Sequence, residues 1–349
     1  MKQKVGFGGD FITNKQSRKE QISLIKKAID LGVVLFDTAE AYSEGRSEEV
    51  IGSALMGHRQ KAFVCTKFSP ENSTYSGIIR SCEASLKRLK TDYIDLYQVH
   101  WPSNNSEYDI VKAFDRLISD GKVLNVGVCN YSTQRMLTLE ELLINNKIFS
   151  NQFEYNYFDR FAERSILPHC HENGMFLIAY SPLNKCRKIL DNKNIISLAK
   201  KYDKKISQIL LNWLIDKKNI IVIPKTTKEE NLIANFSSGT FSMEREDYEF
   251  LNSRHYKTSY VLPRHISVSK TGEGNRKVYQ TLEEAIENNL GFCPSPFELS
   301  QEVKQNDEVK PVRLIKEANQ TYSLVEGRVR FWAWVLAYGD NKPIPSLIY

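Results

Sequence analysis

Residues 33–42 read Val-Val-Leu-Phe-Asp-Thr-Ala-Glu-Ala-Tyr, and they contain the pattern from which the fold can be inferred. The apolar run 33–36 is typical of a buried strand, and it ends at Asp37, with Tyr42 in the loop beyond. A single acid at such a point is also what a strand turning into solvent would show. The choice between a functional site and a solvent-exposed loop therefore depends on whether the arrangement recurs along the chain.

The arrangement does recur, because short runs rich in Val, Ile, Leu and aromatic residues alternate with helical patterns throughout the first 225 residues. The eight predicted strands are Lys4–Gly8, Val33–Asp37, Ala62–Lys67, Tyr93–His100, Val123–Val128, Asn151–Tyr155, Met175–Tyr180 and Ile220–Ile223. The helix predicted over Lys19–Gly32 has an apolar face formed by Ile22, Ile25, Ala28 and Ile29. Eight right-handed βα units predict an α/β fold, a (β/α)8 TIM barrel, rather than a doubly wound sheet.

Length and composition limit the remaining choices. The chain has 349 residues, more than one barrel requires, so we expect a barrel over residues 1–255 and a small α+β domain over 256–349. The net charge of +6 is too small to indicate a nucleic-acid partner. No segment is long and apolar enough to span a bilayer, and the N-terminus lacks a signal sequence. We therefore expect a cytoplasmic protein with no membrane partner.

The cysteines and histidines do not predict a metal site. The six cysteines contain no CxxC pair and are expected to be free thiols in a reducing compartment. His169-Cys170-His171 resembles a metal-binding segment, but neighbours one and two positions apart do not share a helix face. We therefore predict no bound metal.

Reactive side chains stand at the ends of successive predicted strands, where TIM barrels carry their chemistry. Asp37, Lys67 and His100 end three strands in turn, and Tyr42 follows the first of them. A lysine ammonium is expected to lower the pKa of a nearby phenol, and an acid beside the lysine keeps it charged. His100 can donate an N–H to a substrate oxygen. Together these groups can protonate a polarised carbonyl, as hydride addition requires.

Five segments in this order resemble the aldo-keto reductase family: Asp37–Tyr42, Thr66–Phe68, Val99–Pro102, Gly127–Tyr131 and Ile223–Thr226. The resemblance covers about residues 5–250. It implies a catalytic tetrad of Asp37, Tyr42, Lys67 and His100, with Tyr42 as the general acid. It also implies that NAD(P)H reduces a small aldehyde or ketone, or that the reverse oxidation of an alcohol occurs.

The same resemblance implies a cofactor site. Asn130 and Gln152 would bond the nicotinamide carboxamide, and Tyr180 would stack on the nicotinamide ring. Further residues would follow the pyrophosphate and the adenosine phosphate. The complete expected set is Gly8, Asn130, Gln152, Tyr180, Ser181, Leu183, Lys225, Thr226, Asn231 and Asn235.

Two positions and the N-terminal segment depart from the family pattern. Cys129 replaces the usual serine, and a thiol is a poorer hydrogen-bond donor to the carboxamide. Asn231 stands where many relatives have an arginine, so only Lys225 and Lys228 offer charge to a 2′-phosphate. NADPH remains the expected cofactor, with NADH as the alternative. Only about four residues precede the first strand, where relatives have a hairpin closing the barrel, so we expect another feature to cover that end.

Residues from about 260 to 349 resemble the ParB/sulfiredoxin-like superfamily in their order of helix, two strands, a Gly-x-x-Arg-x-x-Ala helix and a closing Ile-Pro strand. The resemblance implies nucleotide phosphate binding near Gly327, Arg328 and Arg330. Val329 departs from it by replacing an expected arginine, and Arg328 replaces the sulfiredoxin cysteine, so sulfiredoxin chemistry is not expected. The alternative is an accessory domain with Phe331, Trp332 and Trp334 in its core.

Charge in this region argues against DNA as a partner. From residue 256 onward, 12 Lys and Arg stand against 11 Asp and Glu, a net charge of +1. Two other functions stay open for the whole chain: an NADPH-binding redox sensor that signals to a partner, and a nucleotide- or DNA-binding protein acting through its C-terminal domain.

Overall fold

The fold was analysed on a computed structural model of the chain. It describes residues 4–10, 16–103, 105–183, 192–253, 259–268, 277–292, 294–306, 309–317 and 321–348. The chain divides after residue 254 into two compact units, which we call the barrel unit and the C-terminal unit.

The barrel unit is built on eight parallel strands that pair in sequence order. They are β1 Phe7–Gly8, β2 Leu35–Asp37, β3 Phe63–Phe68, β4 Leu96–Val99, β5 Val126–Cys129, β6 Ile148–Glu154, β7 Phe176–Tyr180 and β8 Ile220–Val222. A parallel bridge between Val5 and Val222 joins the two ends of the sheet, and the Gly6 N–H donates to the Val222 carbonyl at 2.8 Å. The sheet therefore closes, and the predicted (β/α)8 barrel is confirmed.

Helices connect the strands of the barrel unit. They are α1 Arg18–Asp30, α2 Arg46–Leu55, α3 Tyr75–Leu89, α4 Glu107–Ser119, α5 Thr133–Leu142, α6 Ile166–Glu172, α7 Lys193–Lys201, α8 Ile206–Asp216, α9 Glu229–Phe236 and α10 Arg245–Ser253. Helix α1 begins at a capping box in which Ser17 and Glu20 each accept from the other's backbone N–H. It ends before Gly32, whose φ of +85° only glycine adopts without strain. Leu24, Ile25 and Ala28 form its buried face.

Most strands are shorter than predicted at their N-terminal ends, for a local reason that β2 illustrates. The Val33 N–H donates to the Ala28 carbonyl at 2.9 Å, so the first predicted strand residue terminates α1 instead. Strand β6 begins earlier than predicted, at Ile148 instead of Asn151. Its pairing with β5 shifts by one residue between Ile148 and Ser150, a bulge that apolar periodicity does not reveal.

Apolar side chains fill the barrel interior. The central layer consists of Leu35, Cys65, Leu96, Ile178, Ile221 and Ile223. Below it, at the N-terminal ends of the strands, lie three partly buried phenylalanines, Phe63, Phe149 and Phe176, which we call the aromatic layer. Their ring centroids are 5.6 Å apart for Phe63–Phe149 and 5.2 Å for Phe149–Phe176. The aromatic layer packs the end of the barrel for which the sequence predicted a covering feature.

Trp213 on α8 anchors the last helix of the barrel unit. Its indole is 1% exposed, and its Nε1–H donates to Asn252 Oδ1 at 2.9 Å near the end of α10. The cationic groups of Arg160 and Lys217 lie 4.9 and 4.7 Å from the ring centroid. One large aromatic side chain therefore joins α8 to α10.

The C-terminal unit contains a mixed sheet of five strands in the order β10-β12-β11-β13-β9. The strands are β9 Ser259–Val261, β10 Ile266–Val268, β11 Val312–Lys316, β12 Tyr322–Glu326 and β13 Ile344–Ile348, and the helices are α11 Leu282–Glu287, α12 Pro296–Asn306 and α13 Arg328–Tyr338. Helices α12 and α13 and the two strands between them appear in the predicted order, followed by the closing strand β13.

The core of the C-terminal unit is its own. It comprises Val261, Ile266, Val303, Val309, Val312, Leu314, Leu324, Phe331, Trp334 and Ile344. Phe331 and Trp334 are therefore core residues as predicted, and Trp332 is partly buried against them. The Trp334 Nε1–H donates to the Lys342 carbonyl at 2.9 Å, which satisfies its one polar group.

No helix among the described residues combines the length and the apolar character needed to cross a membrane.

Candidate active site

The structure brings all four predicted tetrad residues together at the C-terminal ends of the strands. Asp37 ends β2, Lys67 lies near the end of β3 and His100 follows β4 directly, while Tyr42 lies in the loop after β2. Lys67 Nζ donates to Asp37 Oδ2 at 2.9 Å and to the Thr38 carbonyl at 2.6 Å. It also donates to Tyr42 Oη at 3.3 Å. A single ammonium therefore links the acid to the phenol.

The Asp37–Lys67 pair is fully enclosed. The Lys67 side chain is 0% exposed and that of Asp37 is 2% exposed. Burial alone would lower the pKa of Lys67, but the adjacent Asp37 carboxylate raises it above its ordinary value. The Gln152 Nε2–H donates to Asp37 Oδ1 at 2.7 Å, which supplies the carboxylate with a second partner. Lys67 is therefore held as an ammonium.

Tyr42 is a protonated phenol with an edge-on aromatic neighbour. Burial raises its pKa to about 12, and the Lys67 charge offsets only part of that effect. Lys67 does lower the pKa of Tyr42, as predicted, but burial raises it by more. The prediction that the pKa of Tyr42 lies below its ordinary value is therefore wrong. The Tyr42 and His100 rings meet at 79°, with centroids 5.4 Å apart. At neutral pH Tyr42 carries the proton that a general acid needs.

His100 is a neutral imidazole. Burial, followed by the Lys67 charge, lowers its pKa to about 3. Its backbone N–H donates to the Phe68 carbonyl at 3.0 Å, which fixes the residue against the end of β3. A neutral ring donates through one nitrogen only, so His100 can supply one N–H to a substrate oxygen without competing with Tyr42 for the role of acid.

The residues expected at the nicotinamide lie beside the tetrad. Asn130 Oδ1 accepts from the Tyr180 hydroxyl at 2.9 Å, and Asn130 Nδ2 lies 3.4 Å from the His100 carbonyl. Asn130 has a positive φ of 61° and Ser181 one of 48°, a backbone region that asparagine enters more readily than serine does. Two side-chain amides and one phenol thus gather within reach of the tetrad, which suits a carboxamide group and a flat ring.

The thiol of Cys129 is buried beside this group, and burial raises its pKa well above the ordinary range. It therefore remains a neutral thiol, as expected for the residue that replaces serine. Leu183 is partly buried against the barrel core.

The residues expected at the phosphates gather around the ends of β1 and β8. A side chain at Gly8 would bring its Cβ within 2.6 Å of the Ile223 carbonyl, so only glycine fits there. Thr226 Oγ1 accepts from the Lys228 N–H at 3.1 Å, just before α9. In the described part of the chain, no side chain caps the N-terminus of α9, so its first-turn N–H groups can meet an anion. On that helix Asn231 is exposed and Asn235 is buried.

Two polar residues at the mouth had not been predicted. Glu40 Oε1 accepts from the Ser69 N–H at 2.6 Å and from Asn72 Nδ2 at 2.8 Å. Asp10 Oδ2 accepts from Lys225 Nζ at 2.6 Å. Their positions in the sequence could have identified them, because Asp10 follows strand β1 and Glu40 lies between Asp37 and Tyr42 in the loop after β2.

The residues expected to bind phosphate in the C-terminal unit serve its own turn. Gly327 has a φ of +99° and precedes α13. Arg328 donates to the carbonyls of Val325 at 2.8 Å and Leu324 at 3.2 Å. Arg330 donates to the Pro311 carbonyl at 2.9 Å and to Glu326 Oε1 at 3.3 Å. These contacts give Gly327, Arg328 and Arg330 a structural role and lend no support to nucleotide binding.

Comparison with known proteins agrees with the geometry of the barrel unit. The profile of the Aldo/keto reductase family matches residues 4–254. Methylglyoxal reductase YeaE of Escherichia coli is 37% identical over 212 residues, covering 60% of this chain and 75% of that protein. Glyoxal reductase of Bacillus subtilis is 31% identical over 243 residues, covering 68% and 84%.

Solved structures give the same result. The crystal structure of an aldo/keto reductase from Klebsiella pneumoniae in complex with NADP and acetate superposes with a TM-score of 0.66 at 28% identity, covering 72% of this chain and 93% of that one. The family profile ends at residue 254, so the resemblance of the C-terminal unit to ParB/sulfiredoxin-like proteins stays a prediction. The profile match over the barrel establishes that the chain belongs to the aldo/keto reductase family and is an NAD(P)H-dependent oxidoreductase acting on carbonyl groups.

Proposed function

We propose that the barrel unit reduces small aldehydes or ketones with NADPH, using Tyr42 as the general acid. The observation that carries the proposal is the hydrogen-bonded series Asp37–Lys67–Tyr42, in which a buried ammonium contacts both a carboxylate and a protonated phenol. A phenol that stays protonated at neutral pH needs a nearby positive charge to stabilise it at the moment the proton leaves. Lys67 supplies that charge.

The roles of the four residues follow from their protonation states. A bound nicotinamide cofactor supplies the hydride to the carbonyl carbon. Tyr42 transfers its proton to the carbonyl oxygen, which completes the alcohol, and Lys67 stabilises the phenolate that is left. The neutral His100 donates an N–H to the same oxygen and orients it. Asp37, held by Gln152, keeps the ammonium aimed at the phenol.

We propose Asn130, Gln152 and Tyr180 as the side chains that hold the nicotinamide. Asn130 Oδ1 accepts from the Tyr180 hydroxyl and one N–H of Asn130 Nδ2 points to the His100 carbonyl, so the second N–H is the group available to donate. Gly8, Ser181 and Leu183 would follow the pyrophosphate. The remaining expected residues, at the adenosine phosphate, are Lys225, Thr226, Asn231 and Asn235.

Small 2-oxoaldehydes and related dicarbonyls are the substrate class that we propose. Support comes from the relatives, which are named as a methylglyoxal reductase and a glyoxal reductase. The reacting group would lie against Tyr42 and His100, whose rings meet edge to face with centroids 5.4 Å apart. Turnover of methylglyoxal, glyoxal and longer aldehydes, followed by the loss of NADPH absorbance, tests this. No oxidation of NADPH with any carbonyl would refute the proposal.

The C-terminal unit is proposed to be an accessory α+β domain of ParB/sulfiredoxin-like architecture that does not bind nucleotide. The support is its separate apolar core and the internal bonding of Arg328 and Arg330. Titration of the full-length protein with ATP and ADP, after saturation of the barrel with NADPH, tests this. A second stoichiometric binding event that Arg330→Met abolishes would overturn it.

We place the protein in the cytoplasm. The described cysteines Cys65, Cys82, Cys129 and Cys170 are free and buried, which suits a reducing compartment.

A further inference from the structure

The lysine expected at the cofactor's 2′-phosphate already has an anionic partner. Lys225 Nζ lies 2.6 Å from Asp10 Oδ2, and the two side chains are 59% and 60% exposed. Asp10 comes from the loop after β1, and Lys225 from the loop after β8. The pair therefore spans the point at which the sheet closes, at the end of the barrel that carries the tetrad.

We propose that Asp10 is a specificity-determining residue, which weakens the preference for NADPH over NADH by occupying Lys225. This inference rests on the proposed cofactor site and deepens it. A 2′-phosphate that approaches Lys225 must displace the carboxylate or accept it as a like-charged neighbour. NADH carries a hydroxyl at that position and meets neither cost.

The neighbouring charges strengthen the argument. Lys228 Nζ lies 3.9 Å from Glu230 Oε1, and Lys27 Nζ lies 3.2 Å from Glu229 Oε1. In the described part of the chain, each lysine that we find near the start of α9 is thus matched by a carboxylate. Asn231 adds no charge to this group. Among the described residues near the start of α9, no excess positive charge remains to outweigh Asp10, so loss of its carboxylate should change the affinity for a phosphate directly.

The effect of Asp10 on NADPH affinity is limited because both Asp10 and Lys225 are exposed to water. An ion pair between two exposed side chains contributes little binding free energy. Dissolved salt also weakens it, because charges in water are screened over a length of roughly 10 Å at 0.1 M. We therefore expect Asp10→Asn to tighten NADPH by about three- to tenfold at low salt. The gain should shrink toward unity at about 0.5 M salt, and NADH affinity should stay within about twofold of wild type.

The experiment measures dissociation constants for NADPH and NADH with the full-length protein, by calorimetry at low and high salt. The matched control is Asp120→Asn, which makes the same chemical change at the C-terminal end of α4. Asp120 pairs on the surface with Arg116 at 3.0 Å, and the loop after α4 lies at the opposite end of the barrel. The control should leave both constants at wild-type values.

A double-mutant cycle with Lys225→Met identifies the partner. Loss of Lys225 should weaken NADPH more in the Asp10→Asn background than in wild type, because the lysine is unopposed there. Equal tightening of both cofactors, unchanged constants, weaker NADPH binding or independent effects in the cycle would each overturn the inference. The proposed function fails separately, when wild-type protein neither binds NADPH nor oxidises it with a carbonyl.

Discussion

Tyr42 is the residue on which the proposed chemistry depends, and its environment explains why it suits an acid better than a base. With a pKa of about 12 it stays protonated across the physiological range, so the active form is always present. Its proton becomes transferable only when a substrate oxygen gains negative charge beside it. Lys67, 3.3 Å from the hydroxyl, stabilises the phenolate that then forms.

Replacement of Tyr42 by phenylalanine removes only this hydroxyl. We expect Tyr42→Phe to lower kcat for carbonyl reduction by about 10²–10⁴-fold, with the dissociation constant of NADPH nearly unchanged. Tyr108→Phe is the matched control, because Tyr108 is 59% exposed at the start of α4. Steady-state kinetics and a binding titration provide the two readouts. A variant that kept more than about a tenth of wild-type kcat would show that Tyr42 is not the acid.

The buried neutral His100 makes a prediction about stability and pH. Its pKa is about 3 in the folded protein, below the unfolded value of roughly 6.5. The unfolded chain therefore takes up a proton that the folded chain does not, and stability is lost as pH falls from 6.5 toward 3. As the pH falls from 6.5 to 4.5, the free energy of unfolding should decrease in both proteins. We expect the decrease to be about 1–2 kcal/mol smaller in His100→Gln than in wild type.

Urea unfolding at a series of pH values measures this difference. His58→Gln is the control, since His58 is exposed on the loop after α2. Parallel pH profiles for wild type and His100→Gln would mean that His100 is not held neutral by burial.

Asn231 permits a gain-of-function prediction at the same scale. An arginine in the first turn of α9 adds charge next to the expected 2′-phosphate, so Asn231→Arg should tighten NADPH with little change for NADH. Position 231 is exposed to water, so we expect about a tenfold gain, at the lower end of what one charge-assisted bond provides. Dissociation constants for both cofactors decide the matter. Tighter binding of both NADPH and NADH would show that residue 231 does not lie near the 2′-phosphate.

At the scale of elements, Glu40 connects the loop that carries Tyr42 to strand β3 and the loop that follows it. Its backbone N–H donates to the Lys67 carbonyl at 3.1 Å, and its carboxylate accepts from Ser69 and Asn72 in the loop after β3. The loop that holds Tyr42 is thereby tied to the strand that holds Lys67. Glu40 touches neither reacting atoms nor cofactor residues in these contacts, so we expect it to act by positioning.

Glu40→Gln and Glu40→Ala separate positioning from charge. The glutamine keeps an acceptor oxygen for both donors, whereas the alanine leaves a backbone N–H and an amide without it. We expect Glu40→Ala to lower kcat by about tenfold and Glu40→Gln to retain most of the activity. Equal losses in both variants would point to the negative charge instead. Separate changes in kcat and KM would then show whether catalysis or substrate binding depends on the charge of Glu40.

Elements were predictable from the sequence where one local pattern determined them. All eight barrel strands were located because each is a short apolar run between helical patterns, and three of them end in a reactive side chain. Contacts made by the closed barrel were not predictable in this way. Asp10 meets Lys225 across 215 positions and Gln152 meets Asp37 across 115, distances over which periodicity carries no information. The raised pKa of Tyr42 depends on how deeply the folded barrel buries the phenol, which the sequence does not show, so the direction of the net shift was missed.

At the scale of the whole molecule, the chain combines one unit whose family is established with another whose role is proposed. The barrel unit could be assigned because its function depends on a few side chains at fixed places in a repeating architecture. In the C-terminal unit, the order of helices and strands was predicted, yet its arginines are used to hold a turn. A resemblance in fold therefore lends no support to a binding activity in that unit.

The tryptophans have a practical consequence for experiments on this chain. Trp213 is 1% exposed in the barrel unit, and Trp334 is 2% exposed in the C-terminal unit. Each unit therefore contains a buried indole whose emission should shift to longer wavelength when that unit opens to water. In a variant that keeps Trp213 or Trp334 as its single indole, with the other three tryptophans replaced by phenylalanine, fluorescence can follow the melting of one unit within the intact chain.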